Sequence, residues 1–365
     1  MDARVRTRRE RTTGYAPIGG PSAWLAGEMR ERDDWIFAVT DQEIEEIDGA
    51  IERTRELDIR EIEKDNFQLP TLAKRLERLR AAVKDGIGFS YVRGLPVDRY
   101  DREGQLRMYW GISRHIGDPI PQNRNGHLIG HILDVGDAIG DYNKRLSQTR
   151  SELAFHSDSC DVVGLLCLRT AKAGGLSAIV SAVAVHDEML RRAPHLCAAL
   201  YQPVLQDRRG EIPAGATPWF QMPVFAVHKG RFASYGPTPQ YIESARRFTD
   251  APAMTDEQNE AIKLFSEVCA DERFCLRLPF QPGDIQFLQN HVVYHSRTEF
   301  EDWPDPARKR HLLRIWLSLP DGRELPTSFL NKWPNIEVGT KRGGAIVTPG
   351  KPLVVPFDPE TPAFG

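Results

Sequence analysis

The spacing of apolar positions changes period along the chain. Between Gln42 and Leu57, Ile44, Ile47 and Ile51 recur at helical intervals among charges, and Leu72, Leu76, Leu79 and Val83 do the same behind Pro70-Thr71. Both stretches predict amphipathic helices with one face to bury. From Ile87 the period shortens to two: Ile87, Phe89 and Tyr91 alternate with Gly88, Ser90 and Val92, as in a half-buried strand that ends at Arg93-Gly94-Leu95-Pro96. Further on, short apolar runs bounded by turns occupy 162–168, 178–185, 274–278, 284–288, 291–294 and 311–319, with helical stretches near 185–192 and 255–269. That succession predicts a mainly β core wrapped by helices, an α+β fold.

Two segments keep neither period. The stretch 117–149 is rich in Gly, Asn, Asp and Gln, the composition of a long functional loop. Beyond Pro320 the chain turns Gly/Pro-rich, as an extended strap or loose tail would. No internal repeat divides the remainder. The expected organisation is a flexible tail over 1–25, a helical segment over 26–85 packed on the core, the core itself over 86–320, and an extension over 321–365.

Composition narrows the function. The 365 residues are 41% hydrophobic and 27% charged, and 48 basic against 51 acidic side chains leave a net charge of −3. That balance gives no electrostatic reason to expect a nucleic acid or an anionic membrane as partner. The apolar run at 162–168 is far too short to span a bilayer. Five scattered cysteines without a CxxC read as reduced thiols, and the arginine-rich N-terminus has no apolar stretch behind it, so a cytoplasmic protein is expected. No HExxH, GxSxG or P-loop is present, and Gly86-Ile87-Gly88 lacks the third glycine and the helix of a dinucleotide fingerprint.

Three places carry candidate chemistry. In Phe155-His156-Ser157-Asp158, positions two apart on extended chain share a face, so an imidazole and a carboxylate aim at one point while Ser157 turns away. The competing reading is a surface His–Asp hydrogen bond. A second imidazole, His295, ends the β segment within Asn290-His291-Val292-Val293-Tyr294-His295-Ser296-Arg297 and completes three-point ligation. Two histidines and one carboxylate on one face of a metal leave the other face open, the pattern of non-haem Fe(II) oxygenases. In the strand 311–319, Leu313, Ile315 and Leu317 face one way and Leu312, Arg314 and Trp316 the other. An arginine so placed needs an anion. It suits either an internal Asp or Glu or the distal carboxylate of a dicarboxylate such as 2-oxoglutarate, chelating the metal at its other end.

His156-x-Asp158, Gly174-Gly175-Leu176-Ser177-Ala178-Ile179-Val180-Ser181, His295-x-Arg297 and Arg310-x-x-x-Arg314, in that order, resemble the TauD/TfdA group of Fe(II)/2-oxoglutarate-dependent dioxygenases. The resemblance runs from about Gly86 to Pro320. It implies a double-stranded β-helix (jelly-roll) core with flanking helices, and iron bound by His156, Asp158 and His295. It also implies that Arg314 holds the distal carboxylate of 2-oxoglutarate, with Arg310 or Arg297 nearby. Where the family places a threonine after the Gly-Gly, this chain has Val180, with Ser181 next as the candidate contact. The implied reaction consumes O2, releases succinate and CO2 and hydroxylates a substrate C–H. The presence of Asp158 separates the chain from related halogenases, which lack that ligand. The alternatives are a cupin-like metal enzyme that ignores 2-oxoglutarate and a non-catalytic ligand-binding barrel.

Candidate substrate contacts come from the loops: Gln122, Asn123, His127, His131 and Tyr142 from the first, and Trp219, Phe220 and Gln221 from the Gly/Pro-rich insert at 210–223. Together they predict a mixed polar–aromatic pocket for a small molecule. A homo-oligomer is the expectation by family analogy.

Overall fold

The computed structural model describes residues 15–134 and 150–359. Its larger sheet runs, in spatial order, Ile36–Ala38, Phe89–Arg93, Ile285–Gln289, Val162–Arg169, His311–Ser318 and Asp118–Ile120, with Ile129–Ile132 also paired to His311–Ser318. A smaller sheet orders Leu276–Leu278, Ser177–Ser181, Val293–Arg297 and Leu153–His156. Only the first pair of the larger sheet is parallel; the other strand pairs of both sheets are antiparallel. The chain winds between the two: Leu153–His156 in the smaller, Val162–Arg169 in the larger, Ser177–Ser181 in the smaller. It later repeats the alternation through Ile285–Gln289, Val293–Arg297 and His311–Ser318. This is the expected double-stranded β-helix.

The period-two reading of the last strand holds. Leu313, Ile315 and Leu317 join an apolar cluster with the helices Asp41–Arg53, Leu72–Asp85 and Arg102–Arg114. Leu312 and Trp316 join a second cluster shared by both sheets and the helices Ala182–Arg192 and Asp256–Ala270. Helix starts are chemically marked: Thr40 and Glu43 form a capping box, as do Thr255 and Gln258.

Several elements differ from the sequence reading. Phe89, Ser90, Tyr91 and Val92 are all buried, because helices cover one face of this strand and the sheet interior the other. The helix Arg102–Arg114 was not legible: from Leu106 to Ser113 every side chain is buried, so no polar stripe marks it. The run 178–185 is two elements, a strand to Ser181 and a helix from Ala182, with Ser181 Oγ accepting the Ala184 N–H. The described part of the N-terminal tail is docked, not loose: Trp24 is buried and its indole N–H donates to Ile87 O, while Asp187 accepts the N–H groups of Ile18 and Gly19. The C-terminal segment likewise returns to the body, where Val354 exchanges backbone hydrogen bonds with Gly126 and Leu128. Among the described residues no helix is long and apolar enough to cross a membrane.

Candidate active site

Strand register brings the metal-binding candidates together. Val293–Arg297 runs antiparallel to Leu153–His156 with His295 directly opposite His156, and their ring centroids lie 4.3 Å apart. Asp158 follows two residues beyond the strand end, its Oδ2 3.8 Å from His295 Nε2. The ligand atoms of all three lie within 4.8 Å of one another, and all three side chains are buried.

The surroundings fix this geometry. His156 Nδ1–H donates to Ala154 O at 2.9 Å, which leaves the Nε2 lone pair for the triad. Asn290 accepts the Asp158 N–H on Oδ1 at 3.0 Å, and its carbonyl accepts from Ser157 Oγ at 2.9 Å. Ser157 thus turns away from the site, as the alternation requires. Its hydroxyl in turn accepts the Gly236 N–H at 3.0 Å. A Cβ at Gly236 would sit 3.0 Å from the His156 carbonyl carbon and the Ser157 nitrogen, so the close approach needs glycine. Trp316 Nε1–H donates to Asp158 Oδ2 at 2.9 Å.

The charge states suit a divalent metal. Burial works against the Asp158 carboxylate, but Arg314, the two imidazoles and the Trp316 N–H outweigh it and hold the group down at about 2. Burial pushes both imidazoles down, His295 to about 3 with His156 adding to the effect, so both are neutral donors at pH 7. One anionic oxygen and two imidazole lone pairs on one side of a point fit ferrous iron.

Beside the triad a cavity is lined by Ile132, Leu165, Phe280 and Leu312, with Ser177, Arg297, Arg310 and Arg314 as its polar walls. Arg314 lies at the metal end: Nη1 is 3.3 Å from both Asp158 oxygens, and Nε donates to Gln122 Oε1 at 2.8 Å. Its strand pairs it with Leu165 in the middle of the ladder. Arg310 and Arg297 behave differently. Both are buried and flank the Phe300 ring at 5.3 and 4.8 Å, and neither has a carboxylate partner among the described residues. Among the described residues Arg310 Nη1 and Arg297 Nε find no hydrogen-bond partner. Burial brings Arg310 down to about 10, and burial with the neighbouring Arg310 charge brings Arg297 to about 9.

On the other side of His156 and Asp158 lies a second compartment, lined by Phe220, Tyr235, Tyr241 and Trp316 together with Arg208, Arg209, Glu211 and Lys332. Of the two aromatic candidates from the insert, Phe220 lines this compartment, while its neighbour Trp219 points to the opposite face of the Trp219–Met222 strand. Other candidates have structural duties. Gln122 clamps Arg314, accepting from Nε and donating to Arg314 O at 2.7 Å. Asn123 closes its own turn by accepting the Asn125 and His127 N–H groups, and His127 sits at a β-bridge with Val354. The main chain of Gln221 accepts from Asn331 Nδ2. Ser181 is fully buried and spent on a helix cap and on Ser22 O, so it is not positioned as a co-substrate contact. Tyr142 lies outside the described residues. His131 belongs to a neutral chain: Arg169 Nη2 donates to His311 Nδ1 at 3.3 Å, His311 and His131 share a hydrogen bond of 2.8 Å, and His131 Nε2 donates to Pro356 O at 3.0 Å.

Sequence reasoning missed three supports. Trp316 stood on the same strand face as Arg314 and was readable from it. Asn290 lay within a quoted segment but carried no distinguishing spacing. Asp161 and Arg342, a fully buried pair, are 181 residues apart and gave no signal.

Fold and triad together define a jelly-roll oxygenase in which, among the described residues, one group of three side chains is placed to hold a metal ion. Residues 53–316 match the family described as taurine catabolism dioxygenase TauD, TfdA family, and the chain belongs to that family. It is accordingly an oxidoreductase of the iron- and 2-oxoglutarate-dependent kind. Over 329 residues it is 28% identical to FR-33289 synthase of Streptomyces rubellomurinus, an alignment covering 87% of this chain and 95% of that protein. It is 27% identical over 308 residues to the taurine hydroxylase-like protein SAT17 of Stachybotrys chartarum, covering 80% and 77%. Among solved structures, asparagine oxygenase with Fe(II), 3-hydroxyasparagine and succinate superposes with a TM-score of 0.61 at 16% identity, covering 78% of this chain and 93% of that one. The non-heme iron oxygenase OrfP with Fe and alpha-ketoglutaric acid gives 0.58 at 14% identity, covering 78% and 94%.

Proposed function

We propose that this protein hydroxylates an unactivated C–H of a small organic molecule, with His156, Asp158 and His295 holding iron and with 2-oxoglutarate lying in the cavity that ends at Arg310 and Arg297. One observation carries the reading: a three-donor group fit for a metal adjoins a cavity lined by two buried guanidinium groups with no carboxylate partner among the described residues. A dicarboxylate satisfies both ends at once.

Bound ferrous iron supplies the oxidising chemistry, in which O2 and the keto acid become succinate and CO2 while a substrate C–H becomes C–OH. The chain's own residues prepare for it. Trp316 and Arg314 fix the Asp158 carboxylate so that it presents one orientation to the metal. Arg310 and Arg297 meet the distal carboxylate, which revises the sequence-based assignment of that contact to Arg314. Arg314 instead faces the metal end, where the keto acid carries its other carboxylate. Leu165, Phe280 and Leu312 keep water from the cavity. The substrate occupies the compartment between Phe220, Tyr235 and Tyr241, on the far side of His156 and Asp158. Five free, buried cysteines suit a reducing cytoplasm.

The test is succinate release by the full chain with Fe(II), ascorbate, O2 and 2-oxoglutarate, screened against small carboxylates, sulfonates and amino-acid derivatives. A stimulating compound should yield hydroxylated product in step with succinate. Turnover of such a compound without any keto acid would refute the reading in favour of a metal enzyme that ignores 2-oxoglutarate.

A further inference from the structure

Resting on that metal-site reading, we propose that Arg342 is a positioning residue of the iron centre: from a segment beyond the family-matched residues 53–316, it locks the turn that carries Asp158.

The turn between the strands Leu153–His156 and Val162–Arg169 carries Asp158 near its start and Asp161 at its end. The Asp161 carboxylate is 1% exposed and accepts four hydrogen bonds, its full capacity. Arg342 Nη2 reaches Oδ1 at 2.8 Å and Arg342 Nε reaches Oδ2 at 2.9 Å, a two-pronged grip. His291 Nε2–H donates to Oδ1 at 3.0 Å and the Leu319 N–H to Oδ2 at 2.9 Å. The main chain then relays the grip. Asn290 N–H donates to Asp161 O at 2.9 Å, and the same Asn290 holds the Asp158 N–H on its side chain.

The residues after Arg342 touch the turn again. Gly344 N–H donates to Ser159 O at 2.6 Å, and Ala345 N–H donates to Pro121 O at 2.8 Å, next to the Gln122 that clamps Arg314. Gly343 and Gly344 both have positive φ, 76° and 79°, and a Cβ on either would come within 2.8 Å of a carbonyl oxygen, of Ser159 and Pro121 respectively. The pair of glycines is what lets the segment lie this close. Immediately afterwards, 344–349 forms one wall of an outer cleft that shares Arg208, Glu211 and Lys332 with the substrate compartment. One segment therefore braces the metal turn and lines the cleft that adjoins the substrate compartment.

A buried ion pair is a poor source of net stability, because desolvation offsets the attraction and apolar replacement is often neutral. What the guanidinium fork adds is direction. Two parallel bonds fix the Asp161 carboxylate plane, which a point charge cannot do. The location of this fork, three residues from a metal-binding carboxylate, is where direction has a use.

The experiment compares the full-length wild type with Arg342→Lys, which keeps the charge and loses the fork, and with Asp161→Asn/Arg342→Met, which leaves no uncompensated charge. Apo melting temperature, Co(II) affinity by calorimetry, and the visible absorption of the anaerobic Fe(II)–2-oxoglutarate complex are read for each. Both variants should melt within a few degrees of wild type yet bind Co(II) about 10-fold more weakly, with a shifted or weakened absorption band. A folded Arg342→Lys protein with Co(II) affinity and band indistinguishable from wild type overturns the proposal, whatever the double variant does. Should the wild type itself take up no Co(II), the metal-site reading fails first, and separately.

Discussion

Arg310 offers a test in which stability and function move in opposite directions. Burial holds its guanidinium at about 10 against an ordinary 12.5. Each pH unit corresponds to about 1.4 kcal/mol, so the ligand-free protein bears about 3 kcal/mol for carrying that charge without a counter-ion. Arg310→Met keeps an unbranched stem of similar reach, removes the charge and also relieves the repulsion on Arg297. Some stacking on Phe300 is lost, about 1 kcal/mol, leaving a net gain of about 2 kcal/mol. For a chain of this size that is a rise of roughly 3 °C in the melting temperature of metal-free, ligand-free protein. The same change strips the distal carboxylate of 2-oxoglutarate of a buried charged partner, a loss of about 2–5 kcal/mol, or roughly 30-fold to several-thousand-fold in affinity. Scanning calorimetry on chelator-treated protein and the 2-oxoglutarate KM read the two effects. A variant that melts lower than wild type and keeps its 2-oxoglutarate KM would show that Arg310 is an internal structural charge, and the co-substrate assignment would fall with it.

Other outcomes follow from the same geometry. His295→Ala should abolish Co(II) uptake measured by calorimetry while leaving the fold intact by circular dichroism, since its Nδ1 makes no hydrogen bond to be lost. Trp316→Phe removes the donor to Asp158 Oδ2 and should weaken Co(II) binding about 10-fold with little change in 2-oxoglutarate affinity. Gly236→Ala drives a methyl into the backbone of His156 and Ser157 and should cost about 1–3 kcal/mol in chemical denaturation. Stability should also fall on acidification. Burial holds His291 at about 4 and His311 at about 2, so below pH 6.5 the unfolded chain binds protons that the folded one refuses. Each histidine then removes up to about 1.4 kcal/mol of stability per pH unit once the pH lies well below 6.5. A denaturation midpoint in urea that stays flat between pH 6.5 and 4.5 would contradict this.

The convergence of the metal-ligand candidates was legible because their spacing is periodic. His156 and Asp158 stand two apart, Arg314 and Trp316 share one face of an alternating strand, and such patterns survive in a linear sequence. The helix Arg102–Arg114 was not legible, since burial on all sides erases the polar stripe by which helices are recognised. Nor was the difference in surroundings between Arg310 and Arg314, the first without a carboxylate partner among the described residues and the second beside Asp158. Both are arginines four residues apart lining one cavity, and only the folded structure shows that Arg314 sits beside the Asp158 carboxylate while Arg310 lies against Phe300. Ser181 was misplaced for a related reason: the run through 178–185 hides the point where strand becomes helix, and the serine at that junction is occupied by the cap. Loop residues such as Gln122 carried donors and acceptors suited to a substrate, but nothing local indicates that those groups are taken up by Arg314.

His156 and His295 occupy facing rungs of one ladder, so the spatial relation between them does not depend on how much chain intervenes. The 138 residues from Ser157 to Tyr294 can lengthen, shorten or be exchanged outside the paired strands without disturbing that relation. A one-residue slip within either strand, by contrast, would turn an imidazole to the opposite side of the sheet. The architecture thus separates what evolution can vary cheaply, the connecting loops, from what it must hold fixed, the rung that sets two imidazoles face to face.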